Sequence, residues 1–243
     1  MKEQPVDPAA MARYFDEALE RGAFLDFDPD EMIGIRRILK LCNVRRRSRI
    51  FEPGCGAGRF TRLLAQRTGA SGHIDACETA PKMIEAWRKR ADLPGVCFHE
   101  STAMDVDLPR GAYDLVICLN LWPHLDRVES HLERFAQLLR PEGRLAVAHS
   151  MPRENVNAIH GFVAPPGVRA HPLPPADALA DQLTSLGWRP ESVVDEEIYF
   201  VSAGPPLREA PASGGPPLGP KAAGKPPAKS RAKSGVKRKP KSG

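Results

Sequence analysis

The sequence predicts an α/β fold in which helices cover both faces of one mostly parallel, doubly wound sheet. Strand-like and helix-like segments alternate along most of the chain, from about residue 49 to residue 203. The central strand-like segments are almost continuous apolar runs, which is typical of strands that are buried on both faces. With 243 residues and 42% hydrophobic content, the chain is long enough for one globular domain with a sizeable core.

Two helices are predicted before the sheet begins, within residues 1–44. The first, DPAAMARYFDEALERG, has amphipathic spacing. The second opens at Asp28, a favourable N-cap, with Pro29 in the first helical position and acids in the first turn. Ile35, Ile38 and Leu39 then recur at helical spacing, so we expect this region to pack on the core.

Residues 45–202 are expected to form the sheet and its helices. In chain order, the predicted strands are RIFEPG, HIDACE, GVCFHE, YDLVICLN, GRLAVAHS, WRPESVVDE and IYFVSA. The predicted helices between them are RFTRLLAQRT, PKMIEAWRKRA, RVESHLERFAQLLR and ADALADQLTSLG, and Pro141 is expected to end the third of these. Parallel strands joined by right-handed crossovers bring their carboxyl ends to one edge of the sheet, where ligands bind in folds of this kind.

Residues 203–243 form a tail with a composition of its own. They carry ten Lys or Arg residues and one acid, Glu209, so the tail has a charge of +9 and the rest of the chain −4, within a total of +5. The tail has few apolar side chains to offset chain entropy, so we expect it to be disordered. A solubilising role and weak nucleic-acid contact through its lysines both remain open.

The cysteines and the hydropathy predict a cytoplasmic protein. The five cysteines are well separated and include no C-x-x-C pair, which argues against a disulfide framework or a zinc ribbon and fits a reducing compartment. The first ten residues lack an apolar signal core, and no apolar run reaches the length of a membrane span. We therefore expect no membrane partner.

A glycine-rich turn, FEPGCGAG, joins the first strand to the first helix of the sheet. A dinucleotide-binding G-x-G-x-x-G motif counted from Gly54 needs a third glycine at the position of Arg59. The observed pattern is instead an acid, Glu52, followed by Gly54, Gly56 and Gly58 at alternate positions. It resembles motif I of the class I S-adenosylmethionine-dependent methyltransferases, in which this loop wraps the cofactor.

The resemblance spans about residues 45–202 and implies a Rossmann-like, seven-stranded sheet whose last strand is antiparallel. It also implies S-adenosylmethionine as the cofactor, with Glu52 and the three glycines at the binding loop. Glu78 ends the second strand about twenty residues later, and the resemblance makes it the acid that binds the ribose hydroxyls. A glycine turn without a ligand and a solvated carboxylate are the alternatives.

The adenine contact departs from the family pattern. Family members often have an acid followed by alanine after the third strand, whereas this chain has Thr102 and Ala103. We expect Thr102, or Asp105 in its place, to make the polar contact to the adenine. Ala103 is expected to make an apolar contact to it. Asn120, at the end of the fourth strand, is expected to lie beside the cofactor.

We expect the molecule that receives the methyl group to bind at the ends of the fourth and fifth strands, a region called the acceptor side below. His124 and His149 fall there, and a helix starting near Pro152 places Arg153, Asn157 and His160 on one polar face. The stretch HSMPRENVNAIH also resembles a small uncharacterised subgroup of methyltransferases.

Three interpretations of this stretch remain open. In the first, Arg153 holds an anionic group of the acceptor while His124 or His149 acts as a base. The second is a metal site of His124, His149 and His160, and the third is a capped lid helix with incidental histidines. Since no short ligand spacing such as H-x-x-x-H is present, we predict no metal. The remaining histidines, His73, His99, His131 and His171, are expected to face solvent or to bond to backbone.

These patterns predict methyl transfer from S-adenosylmethionine to a small molecule. Methyltransferases that act on amides in nucleic acid or protein often carry Asn/Asp-Pro-Pro-Tyr after the fourth strand, and this chain has NLWPHL there. The alternatives are a nucleic-acid methyltransferase assisted by the basic tail and a non-catalytic regulatory protein that binds the cofactor. The sequence makes no prediction about oligomeric state.

Overall fold

The computed structural model describes residues 5–89, 93–162, 165, 167–168 and 171–207, so the disorder expected of the tail concerns residues that lie almost wholly outside the described ranges. Its helices are α1 (Pro8–Glu20), α2 (Pro29–Leu41), α3 (Arg59–Thr68), α4 (Pro81–Arg88), α5 (Val128–Leu138), α6 (Arg153–Phe162) and α7 (Ala176–Ser185). Its strands are β1 (Arg49–Pro53), β2 (His73–Glu78), β3 (Val96–Glu100), β4 (Tyr113–Leu119), β5 (Leu139–His149), β6 (Arg189–Asp195) and β7 (Tyr199–Gly204). None of the helices in these ranges is long and apolar enough to cross a membrane.

The strands form one seven-stranded sheet in the order β3-β2-β1-β4-β5-β7-β6. The first five strands in this order are mutually parallel, and β7 runs antiparallel to both β5 and β6. The predicted fold class is therefore confirmed: a Rossmann-like, doubly wound sheet with an antiparallel last strand. The strand order reverses between β1 and β4, and this switch point opens a crevice beyond the carboxyl ends of the strands.

Both faces of the sheet are buried, as the apolar strands predicted. Alternating residues along a strand point to opposite faces, so Ile50 joins the core under α2 and α3, and Phe51 joins the core under α5 and α7. The same division holds for Ile117 and Cys118 in β4. The central strands are therefore fixed in register, which holds the loops at their carboxyl ends in defined positions.

The two N-terminal helices pack on the sheet domain near its ligand edge. Asp28 and Glu31 form a reciprocal capping box at the start of α2. Gly34 lets α2 approach the end of β5 closely, since a Cβ there would lie 2.6 Å from the backbone oxygen of Ser150. From α1, the Asp16 carboxylate accepts a hydrogen bond of 2.9 Å from the backbone N–H of Lys82 and so caps α4.

Pro141 has a different role from the predicted one. Helix α5 already ends at Leu138, and Pro141 lies within the early part of β5. The pairing of β4 with β5 shifts register here, because Tyr113 pairs with Leu139 and Leu115 pairs with Arg144. A proline has no N–H to give to a strand ladder, so it is accommodated in this irregular stretch.

Candidate functional site

The candidate site lies at the sheet edge where β1, β2, β4 and β5 end. A separate cleft of about 330 Å³ is lined by Arg45, Ser48, Asp114 and Arg144, among others. That cleft lies at the amino ends of β1 and β4, which is the opposite edge of the sheet. Ligands of open α/β sheets bind beyond the carboxyl ends, so we place the site at the glycine loop.

The glycine loop adopts a backbone that other residues rarely adopt. Gly54, Gly56 and Gly58 have φ angles of 65°, 56° and 77°. A Cβ at Gly58 would lie 2.1 Å from the Trp87 ring, whereas a Cβ at Gly56 would meet only the Met83 sulfur, at 3.8 Å. Gly58 is thus required by packing, and Gly56 leaves room for a ligand to approach the backbone.

Glu78 holds the glycine loop in place. One carboxylate oxygen accepts a hydrogen bond of 2.9 Å from the N–H of Gly56. The other accepts from the N–H groups of Thr79, at 2.7 Å, and Ala80, at 2.9 Å, just before α4 begins. The carboxylate that follows β2 is therefore anchored by three backbone donors and lies directly against the loop that follows β1.

Glu52 is a buried acid next to the loop. Its side chain is 2% exposed, and its Oε2 atom has no hydrogen-bond partner among the described residues. Burial raises the pKa of Glu52 to about 8, and the Thr61 hydroxyl offsets only part of that rise. A positively charged ligand at this position would restore the charged carboxylate.

The remaining cofactor candidates lie on the two following loops. The hydroxyl of Thr102 donates to Asp105 at 2.6 Å and accepts from the N–H of Asp105 at 3.1 Å, so these two residues, which the sequence offered as alternatives, form one turn. Ala103 is buried beside them. Asn120 has a φ of 53°, and its side-chain oxygen accepts a bond of 3.3 Å from the N–H of Ser150, which ties the loops after β4 and β5 together.

Residues 51–147 match a family model described as a methyltransferase domain. This match, together with the relatives and the solved structure given below, supports the expected likeness to the class I S-adenosylmethionine-dependent methyltransferase superfamily. It is 29% identical to nocamycin O-methyltransferase of Saccharothrix syringae over 63% of this chain and 63% of that protein. It is also 29% identical to an aklanonic acid methyltransferase of a Streptomyces strain, over 65% of this chain and 70% of the relative.

Among solved structures, the DhpI–SAH complex is similar, with a TM-score of 0.62 and 20% identity over 83% of this chain and 98% of that one. This likeness shows the fold, in agreement with the observed strand order. The matched stretch spans roughly six to seven tenths of the length of the first curated relatives.

The residues at the loop fit the superfamily's cofactor. S-adenosylmethionine carries a positive sulfonium and a positive amino group, and the Oε2 atom of Glu52 is a buried acceptor with no hydrogen-bond partner in the described part of the chain. The open space above Gly56 permits close approach to the backbone. The N-terminus of α3, which begins at Arg59, presents free N–H groups next to the same loop.

On the acceptor side, two histidines from distant segments meet. His124 ends a 3₁₀ turn (Trp122–His124) after β4, and His160 lies in the last turn of α6. Their Nε2 atoms are 3.1 Å apart. The Nδ1 atom of His124 lies 2.6 Å from the Val168 carbonyl oxygen, and that of His160 lies 2.9 Å from the Val156 carbonyl oxygen. Phe15 of α1 packs edge-on against His124, with ring centroids 5.2 Å apart.

Two more buried histidines flank this pair. His149, 2% exposed, and His171, 5% exposed, each have an Nε2 atom without a hydrogen-bond partner among the described residues. Burial lowers the pKa of His149 to about 3, with smaller contributions from His124 and His160. The pKa of His124 is lowered to about 4, chiefly by burial and further by His160. The rings of His124 and His149 are therefore neutral at pH 7.

The other histidines differ in part from their sequence expectation. His171 does contact backbone, with Nδ1 3.1 Å from the Pro172 carbonyl oxygen, but it is buried. His131 is also buried on α5 rather than solvated, with Nδ1 3.3 Å from the Arg127 carbonyl oxygen. His73 and His99 contact a side chain instead, since both lie within 2.9 Å of the Asp75 carboxylate. Alternation along β2 and β3 puts these three on one face of the sheet.

The polar face of α6 is formed as predicted, but each member has a protein partner. Arg153 forms an ion pair of 3.0 Å with Asp195 of β6 and a second with the neighbouring Glu154. The Asn157 amide donates to the Leu173 carbonyl at 2.9 Å and accepts from the Leu173 N–H at 2.8 Å. Helix α6 is thus fastened to β6 and to the loop before α7.

Sequence reasoning missed the contribution of α1 and of His171. Asp7 at the start of α1 bonds through its N–H to the Gly167 oxygen at 2.9 Å, and Phe15 reaches His124. Amphipathic spacing identified α1 as a packing helix, but no signal in the sequence indicated that it would cover the acceptor side.

Proposed function

We propose that this protein transfers a methyl group from S-adenosylmethionine to an oxygen atom of a small organic molecule. The observation that carries the proposal is the acid-flanked glycine loop, in which Glu78 and Glu52 border a backbone that is open above Gly56. The cofactor supplies an activated methyl group on a sulfonium centre. The protein's task is then to orient donor and acceptor and to exclude water.

On the donor side, the loop after β1 binds the methionine part of the cofactor. We assign Glu52 to its positive charge, since a buried carboxylate with a vacant acceptor favours a cation. Glu78 accepts hydrogen bonds from the ribose hydroxyls while remaining anchored by backbone N–H groups. Ala103 and the Thr102 turn border the adenine, and Asn120 borders the methyl group.

On the acceptor side, the neutral rings of His124 and His149 are able to accept a proton from an acceptor hydroxyl. Their low pKa values make them weak bases, so they would serve an acceptor whose hydroxyl is already acidic. His160 and the rest of α6 close this side against water. Arg153 holds an anionic group of the acceptor, in exchange for part of its ion pair with Asp195.

A small oxygen nucleophile is the acceptor class that the relatives favour. The names nocamycin O-methyltransferase and aklanonic acid methyltransferase both refer to transfer onto small molecules. Nucleic-acid methylation assisted by the basic tail, and a non-catalytic regulatory role, are not favoured by these relatives. The cytoplasmic location remains a prediction.

The proposal is tested by cofactor binding followed by transfer. We expect calorimetry to give micromolar binding of S-adenosylmethionine, and we expect the labelled methyl group to reach a hydroxyl in a panel of small phenols, enols and hydroxy acids. Glu78→Ala should abolish binding, whereas Glu100→Ala should not, because Glu100 ends the neighbouring strand with its side chain engaged by Arg88. No cofactor binding at high micromolar concentration would refute the proposal.

A further inference from the structure

Four polar side chains come together on the neighbouring strands β2 and β3. His73 and Asp75 belong to β2, and Cys97 and His99 belong to β3. The two strands are parallel, and Asp75 is paired directly with Cys97. Since alternate residues of a strand point to the same face, all four side chains lie on one face of the sheet. No short spacing in the sequence identifies this cluster, because Asp75 and His99 are 24 residues apart.

The face that carries the cluster is open to solvent at the edge strand β3. Phe98 points to the opposite face, where it stacks on Trp87 of α4 with ring centroids 4.8 Å apart. Cys97 is an exposed free thiol and His73 is partly exposed, whereas Asp75 is 4% exposed. An ion can therefore reach the cluster directly from solvent.

We propose that His73, Asp75 and Cys97 bind one divalent transition-metal ion, and that zinc suits them best. A ring nitrogen of His73, a carboxylate oxygen of Asp75 and the Sγ atom of Cys97 all lie within 4.8 Å of one another. Ligand atoms around a tetrahedral zinc ion lie about 3.3–3.6 Å apart, so the three side chains need to close by roughly 1 Å. Within the described ranges, this is the one group of three or more metal-ligating side chains at such distances.

The chemistry of the ligand atoms selects the class of metal. Thiolate and imidazole ligands favour zinc over magnesium and calcium, which prefer oxygen ligands. The thiolate is the form that binds the metal, so the Cys97 thiol releases its proton to water as the sulfur–metal bond forms. Together, the Cys97 thiolate and the Asp75 carboxylate balance the charge of a divalent ion. Three protein ligands leave the fourth tetrahedral position for water.

Asp75 is already oriented by other side chains, as is common for carboxylates that bind metals. The Tyr113 hydroxyl donates to one carboxylate oxygen at 2.6 Å, and the Nε2 atom of His99 lies 2.9 Å from the other. Burial alone would raise the pKa of Asp75, but the hydrogen bonds from Tyr113 and His99 hold it below its ordinary value. Arg49 lies 3.6 Å from the same carboxylate and is partly exposed, so it can turn to solvent when an ion binds.

Such an ion would join the edge strand to the rest of the sheet through side chains as well as backbone. Strand β3 is first in the sheet order and pairs with β2 alone. A ligand from each strand therefore ties β3 to the strand that ends at Glu78. Because the ligands lie outside the glycine loop and the acceptor side, the inference does not rest on the proposed function.

The inference is tested by titrating the full-length chain with Co²⁺ at pH 7.5 in the presence of a phosphine reductant. The signal is the cobalt–thiolate charge-transfer absorption, which requires a cysteine ligand. We expect one bound ion, loss of this absorption in Cys97→Ser, and at least about tenfold weaker binding in His73→Ala. Cys77→Ala is the matched control, because Cys77 lies on the same strand as Asp75 but is buried in the core, and it should keep the absorption.

X-ray absorption of the Zn²⁺ complex of the wild-type chain gives a second readout that does not depend on a variant folding. One sulfur ligand is expected, with nitrogen and oxygen in the other positions. Zn²⁺ should also raise the Tm of the wild type but not that of Cys97→Ser. Absent Co²⁺ binding, a first shell without sulfur, thiolate absorption that Cys97→Ser keeps or Cys77→Ala loses, or unchanged affinity in His73→Ala would overturn the inference. No methyl-transfer measurement enters the test, so its failure is distinct from failure of the proposed function.

Discussion

The donor and acceptor sides of the ligand edge differ in how their polar groups are satisfied. Glu78, which links β2 to the glycine loop, has three backbone donors and needs no ligand to hold its position. Across the edge, His149 and His171 each bury a ring nitrogen that has no hydrogen-bond partner among the described residues, and the Nε2 atoms of His124 and His160 lie 3.1 Å apart. Buried polar groups without partners are costly, so such a cluster is expected where a ligand completes it.

This difference indicates that the donor side is preorganised and that the acceptor side is completed by what it binds. Preorganisation suits a cofactor that is the same in every reaction cycle. The region matched by the methyltransferase family model ends at residue 147, so it includes the glycine loop and Glu78 but not His149, Arg153 or His160. Of the residues proposed for the acceptor side, His124 therefore lies inside that region, and His149, Arg153 and His160 lie beyond it.

Glu52 differs from the other donor-side groups because it is buried with a carboxylate oxygen that is unsatisfied within the described residues. Of the changes predicted here, ionisation of Glu52 should have the largest effect on stability. Its pKa is raised to about 8 in the folded protein, so the native state keeps a proton that the unfolded state releases above about pH 4.5. Its contribution to stability is present below that pH and is lost as the pH rises to about 8. At about 1.4 kcal/mol per pKa unit, the loss over this shift amounts to about 5 kcal/mol.

Urea unfolding of the wild type and of Glu52→Gln across pH 5 to pH 8 measures this effect. The variant cannot ionise at this position, so its advantage over the wild type should grow with pH. Saturating S-adenosylmethionine should reduce the difference, because a cation favours the charged carboxylate. If the free energies of unfolding of the two proteins change in parallel with pH, Glu52 is charged in the native state.

Gly58→Ala tests the rigidity of the donor side. A Cβ at this position would lie 2.1 Å from Trp87 at a φ of 77°, so we expect a loss of about 3 kcal/mol of stability together with loss of cofactor binding. Gly22→Ala is the matched control, because Gly22 has a φ of 84° with no atom within 4 Å of the added Cβ. It should show only the backbone cost of about 1 kcal/mol. If the two variants lose the same amount of stability, the ring of Trp87 does not prevent a side chain at position 58.

Glu78→Gln should weaken cofactor binding by roughly tenfold to a hundredfold, because hydrogen bonds to a charged group contribute about 1.5–3 kcal/mol. Glutamine has one acceptor oxygen, so at least one of the three backbone donors or the ribose loses its partner. Calorimetry with S-adenosylmethionine measures the change, with Glu100→Gln as the control. An unchanged dissociation constant would remove Glu78 from the donor site.

Arg153→Ala should have the smallest effect on stability, about 1 kcal/mol or less, since its ion pair with Asp195 is partly exposed. Donor affinity should be unchanged, whereas kcat/KM for an anionic acceptor should fall at least about tenfold. The matched control is Arg37→Ala, which breaks similar ion pairs to Glu196 and Glu197 away from the site. If both variants retain full activity, Arg153 only fastens α6 to β6.

The donor side was predictable from sequence because its determinants are local. Three glycines at alternate positions and an acid at the end of the next strand are visible as spacings, and strand alternation places them at one edge. The acceptor side depends on long-range contacts. His124 and His160 are 36 residues apart, and Arg153 and Asp195 are 42 apart. Helical periodicity correctly placed Arg153, Asn157 and His160 on one face, but it contains no information about which partners that face meets.

The position of α1 has a consequence for the order of events during synthesis. Helix α1 is the first described element to be translated, yet its partners are Lys82, His124 and Gly167. At about 5–20 residues per second, a chain needs roughly 8–32 s to extend from the start of α1 to residue 167. Helix α1 therefore docks late, after strands β1 to β5 have been synthesised. Its amphipathic face is exposed on the nascent chain until then.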